Sequence, residues 1–152
     1  MPVREGLKMA ICHVSMQLAY DPTWCNDDVS TFINLLSRPD ELFNQSIRQG
    51  LVLYSGRNLE VYAVHWIWLL VRKMKRLQMW SVSPRMEDLR DCVAIANIIY
   101  LESGAIGKRM LQQFDHSERE PPVFRSTAKS VGDTTAQTCG SFPFILDGLP
   151  DK

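Results

Sequence analysis

The sequence predicts an all-α protein, an antiparallel four-helix bundle with a small β element and a long C-terminal arm. Three observations carry this. Four segments ahead of residue 105 combine helical spacing of apolar residues with helix start or stop signals. The stretch LVLYSGRNLEVY at 51–62 has strand-forming residues on either side of a turn. From His116 onward the chain is polar and rich in Pro, Ser, Thr and Gly, with one apolar island, FPFIL at 142–146. The expected organisation is therefore a helical bundle domain over 1–124 and a partly extended arm over 125–152.

Taken in order, residues 7–19, LKMAICHVSMQLA, alternate weakly and suit either a strand or a short helix. DPTWCNDD at 21–28 is turn chemistry, and Asp27 or Asp28 can cap a helix beginning near Val29. That helix carries Phe32, Leu35 and Leu36 on one face. A second helix begins at Pro39, whose fixed φ suits a first turn. Asp40 and Glu41 suit its positive end, and Gly50 its C-terminal stop. The β element turns at Ser55-Gly56-Arg57-Asn58.

Ala63 to Met79 is long enough for a helix of four to five turns. Its first half is apolar all round, which implies burial on nearly every side. In its second half Met74 and Leu77 are expected inward and the cations outward. Ser83 as cap, Pro84 at the first helical position, and Glu87 and Asp88 in the first turn start the next helix, which ends at Gly104. The segment AIGKRMLQQFD either extends it or forms a short final helix.

The chain is 152 residues long, 45% apolar, with 17 basic and 17 acidic residues. This is the size and composition of one globular domain with a real core. Electrical neutrality gives no global attraction to nucleic acid, so any such affinity must be local. The longest apolar run, VYAVHWIWLLV at 61–71, has 11 residues against the roughly 20 of a spanning helix, so no membrane partner is expected. The N-terminus has no uninterrupted apolar core typical of a secretory signal, and none is expected. Cys12, Cys25, Cys92 and Cys139 stand far apart, which suits free thiols in a reducing compartment rather than a zinc site. His13, His65 and His116 are isolated, and neither a hydrolase, a nucleotide-binding nor a metalloprotease motif occurs. Neither catalytic residues nor a cofactor or metal are expected.

The strongest local feature is charge. Arg72, Lys73, Lys75 and Arg76 fall within five positions at the end of the apolar helix, and Arg85 and Arg90 follow after a short turn. Antiparallel helices would gather these six cations at one end of the molecule, beside a helix N-terminus suited to phosphate. Such a patch would hold a nucleic-acid backbone without reading bases, and many subunits side by side would be needed for affinity. The acidic trio Glu87, Asp88 and Asp91 suits a helix N-terminus.

Three segments together resemble the coat proteins of rod-shaped plant RNA viruses of the tobamovirus type. AYDPTW at 19–24, followed by FINLL, looks like the aromatic-Asp-Pro lead-in to the first bundle helix. LVLYSGRNLEVYAV looks like the short β segment before the third helix. RDCVAIANIIYLESG, with GKRMLQQFD and PPVF after it, looks like the last long helix, the turn beyond it and a final hydrophobic strand. The resemblance spans roughly residues 19–124 and implies a virion protein, made in the host cytoplasm, that assembles with copies of itself around single-stranded RNA. It implies that Arg72, Lys73, Lys75, Arg76, Arg85 and Arg90 hold the RNA backbone. The stretch between the third and fourth helices is shorter than in that family, and the tail after Phe124 is longer. The competing expectation is a cytosolic helical protein–protein interaction module whose basic run is a solvated face.

Overall fold

The computed structural model describes residues 39–79, 85–114 and 121–152, together with Met9, Cys12, His13, Met16, Gln17 and Ala19. The chain divides into two units, Met1–Leu35 and Leu36–Lys152. In the first, Met9, Cys12, His13, Met16 and Gln17 are helical, the helix alternative of the two left open for 7–19. The turn at 21–28 and the helix expected from Val29 lie outside the described residues.

The second unit contains helix α1 (Pro39–Gln49), strands β1 (Val52–Gly56) and β2 (Leu59–Tyr62), and helices α2 (Trp66–Met79), α3 (Met86–Ser103), α4 (Lys108–Gln112) and α5 (Arg125–Cys139). Helix α1 carries Asp40 and Glu41 in its first turn and stops at Gly50, whose φ of 74° is the left-handed conformation a glycine adopts without strain. The strands pair antiparallel, with Gly56 opposite Leu59 and an irregularity between Val52 and Tyr54. Ala63 N–H donates to the Leu51 carbonyl at 2.8 Å and closes the base of the hairpin.

Helix α2 is the most enclosed element. Ile67, Trp68, Leu70, Val71 and Met74 are buried, and α2 touches α3, α4 and α5. Each such side chain contributes roughly 1.5–3 kcal/mol when fully removed from water. Helix α3 turns Cys92, Val93, Ile95, Ala96 and Ile99 inward and packs chiefly on α2 and α5. It starts at Met86, with Arg85 at the cap position and no side-chain cap, two residues beyond the expected start at Pro84. Gly104 ends it with a φ of 81°, so the following segment forms the short separate helix α4 rather than an extension.

The four-helix bundle with a long C-terminal arm is not what the chain forms. The second unit has five helices together with a two-stranded sheet, and 125–139, expected in the arm, is a fifteen-residue helix. Its buried stripe is Ala128, Val131, Gly132 and Thr135, residues too small or polar to stand out as an apolar face. Small side chains let α5 lie close against α3. The Thr135 hydroxyl, fully buried, donates to the Val131 carbonyl at 2.7 Å.

Residues beyond α5 return to the core. Ile106 N–H donates to the Pro143 carbonyl at 2.7 Å and Ile145 N–H to the Ile106 carbonyl at 3.0 Å, so the island at 142–146 pairs with the α3–α4 connection. Gln78 of α2 secures the segment ahead of α5. Its Oε1 accepts from Phe124 N–H at 2.7 Å, and its Nε2 donates to the Pro122 carbonyl at 3.0 Å.

Gly132 lies where a Cβ would overlap the ring of Phe142. Glycine to alanine in a helix interior ordinarily stabilises by about 1 kcal/mol. Here Gly132→Ala is expected to destabilise by about 1–3 kcal/mol through overpacking. Urea denaturation checks the sign, and a stabilised variant would remove Phe142 from this position.

Candidate nucleic-acid interface

The six cations singled out in the sequence do not share one environment. Lys73 and Arg76, one turn apart on α2, face Asp88 and Asp91, one turn apart on α3. Lys73 Nζ lies 3.0 Å from Asp88 Oδ1 and 2.7 Å from Asp91 Oδ2, and Arg76 Nε lies 3.3 Å from Asp88 Oδ2. Both oxygens of Asp88 are thereby engaged, and its side chain is only 4% exposed. Burying a carboxylate is tolerable only with such partners. The spacing of three residues on each helix matches one pair to the other across the α2–α3 contact.

Burial alone would lower the Lys73 pKa. Hydrogen bonds to Asp91 and Asp88, with the charges of both, outweigh it, and the net shift is upward. Lys73 is held as a cation. One turn beyond Asp88, the buried Cys92 thiol is pushed up to about 12, first by burial and then by the negative charge of Asp88. A protonated, inaccessible thiol is no nucleophile.

Lys75 was expected outward and is not. It is 6% exposed, on the same face as Trp68 and Val71, three and four residues apart along the helix. Its aliphatic stem suits that place, and it has a partner of its own. Arg72 is half-buried and Arg85 exposed, and each is likewise engaged. Arg90 is exposed and makes no ion pair among the described residues. The structure therefore joins Lys73 and Arg76 through Asp88, and it puts Lys75 in the interior.

Two features escaped the sequence reading. Asp88 and Asp91 are the partners of Lys73 and Arg76, a match legible in the paired spacing. The hairpin leaves its apolar residues uncovered, with Leu53 66%, Tyr54 56% and Leu59 51% exposed. Among the described residues no helix is long and apolar enough to cross a membrane, and no group of His, Cys, Asp and Glu could hold a metal ion. No protein-family model, curated protein or solved structure matches this chain.

Lys73→Met would leave Asp88 buried with Arg76 alone, and an expected loss of about 2 kcal/mol in unfolding free energy follows from removing one of its two charged partners. Thiol labelling of the folded protein should modify the exposed Cys139 and spare Cys92. Because the folded Cys92 pKa is raised from 9.0 to about 12, its contribution is complete below pH 9 and lost as pH rises towards 12. Denaturation between those values should show a decline that is shallower in Cys92→Ala.

Proposed function

We propose that the chain is a structural, non-enzymatic protein that associates with copies of itself. The observation that supports this is the hairpin. A two-stranded sheet is marginal alone. This one exposes Leu51, Val52, Leu53 and Tyr54 on one strand and its approach, and Leu59 and Val61 on the other. Clustered exposed apolar side chains and unpaired strand edges favour association. Ser55 and Tyr62 are tied to Glu60, at 3.4 and 2.7 Å, which helps hold the hairpin in one shape.

Single-stranded RNA is the second partner we propose. Between residues 72 and 91 six cations stand against three carboxylates, a local surplus of three positive charges on a neutral chain. Lys73 is committed to Asp88 and Asp91, so its role is to orient the helices. Backbone contact falls chiefly to Arg90 and to Arg76, which is bound through Nε while its side chain remains 45% exposed. This reading keeps the assembly expected from the tobamovirus-type resemblance and assigns it to fewer cations. A helical interaction module without RNA is the alternative, and it shares the hairpin.

Sedimentation should show oligomers growing with concentration and with mild warming. Leu53→Asp with Leu59→Asp should return the protein to monomer with its helical content intact. A parent that stays monomeric at every concentration would overturn the association. RNA binding should weaken with salt, and Arg90→Gln should reduce the slope by about 0.7, the value for one phosphate contact on a single strand. RNA-independent oligomers would leave the interaction module standing.

A further inference from the structure

A cavity of about 510 Å³ lies between α1, the start of α2, the end of α3 and α4. This is within the usual range for small-molecule sites, roughly 300–1,000 Å³. Its amide side chains are used on the protein itself. Gln49 accepts from Trp66 N–H at 2.9 Å and donates to the Val64 carbonyl at 3.4 Å, and Gln113 donates to Gln45 at 2.7 Å. These bonds brace α1 against the chain leading into α2 and against the residue after α4. They make the wall polar and stiff.

Two charged residues on the wall are not used in this way. Arg48 of α1 and Glu102 of α3 both line the cavity, and neither side chain makes an ion pair or hydrogen bond among the described residues. His65 lines the same cavity, half-buried, its ring 5.2 Å from that of the buried Phe114. Burial lowers the His65 pKa, so the ring adds no charge at neutral pH, and its Nδ1 has no hydrogen-bond partner. The cavity thus presents one cation and one anion, unpaired with each other, on a neutral polar frame. Trp66 and Ile99 supply an apolar wall beside them.

We propose that this cavity binds a small zwitterion, a free α-amino acid or a dipeptide, whose carboxylate is held by Arg48 and whose ammonium is held by Glu102. A guanidinium takes a carboxylate through two parallel hydrogen bonds, and a carboxylate takes an ammonium through a charge-assisted one. A ligand of single charge would satisfy one residue and leave the other facing it. A zwitterion satisfies both and adds no net charge to the site. The proposal is independent of self-association and of RNA.

Calorimetric titration of the full chain with leucine and with glycyl-leucine separates amino acid from peptide, and saturable binding of either supports the site. N-acetylation or methyl esterification of the ligand that binds should weaken it about tenfold or more, the cost of losing a hydrogen bond to a charged group. Arg48→Gln should abolish the penalty for esterification, and Glu102→Gln the penalty for acetylation. Both residues are exposed, so these variants should retain the circular dichroism of the parent. The His65 ring resonances should shift during the titration. No saturable heat and no His65 shift with either zwitterion, or blocked ligands that bind as well as free ones, would overturn the proposal.

Discussion

Helix α2 must be covered almost all the way round, and the second unit is organised by that requirement. Ile67, Trp68, Leu70, Val71, Met74 and even Lys75 are buried on it, so no single partner can shield it. Helix α3 covers it most extensively, with α4 and α5 adding further contact. Gln49 and Gln78 work at its two ends, one binding the chain that leads into it and the other the chain that leads into α5. Both are single amides that accept from one backbone N–H and donate to one carbonyl, so irregular segments keep their polar groups satisfied without further secondary structure.

The charges between α2 and α3 have a different role from the apolar contacts. Fully buried Leu, Val, Ile and Met side chains are worth roughly 1.5–3 kcal/mol each, whereas a buried ion pair returns little net stability once desolvation is counted. Its value lies in direction. Asp88 is satisfied only when Lys73 and Arg76 both reach it, which favours one rotation of α3 on α2 over others that would bury the same apolar faces. Cys92, next along the same face, then lies in the dry interior beside a fixed negative charge.

The two candidate binding regions follow from opposite physical situations. At the hairpin, apolar side chains have no cover, and the free energy of hiding them is available to a partner. In the cavity, polar side chains converge, and Arg48 and Glu102 retain charges that no described neighbour neutralises. The cations of the α2–α3 end lie between these extremes, because half of the local positive charge is matched by carboxylates on α3.

Most local elements of the second unit follow from the order of residues alone. Pro39 and Gly50 bounded α1, strand-forming residues around the Arg57-Asn58 turn made the hairpin, and the periodic segment up to Gly104 made α3. That order also contained the reason Lys75 is buried, since position 75 repeats the face of Trp68 and Val71, but adjacency in a run of cations masked that periodicity. Helix α5 was concealed because its inward stripe is Ala128, Val131, Gly132 and Thr135, which resembles a loop in composition and becomes a helical face only against α3. Which charges meet is settled by the packing of one helix on another. Spacing along one helix states which residues share a face, whereas the partner of that face depends on which helix covers it. That is why Asp88 and Asp91 neutralise Lys73 and Arg76, and why Arg48 and Glu102, 54 positions apart in the chain, line one cavity.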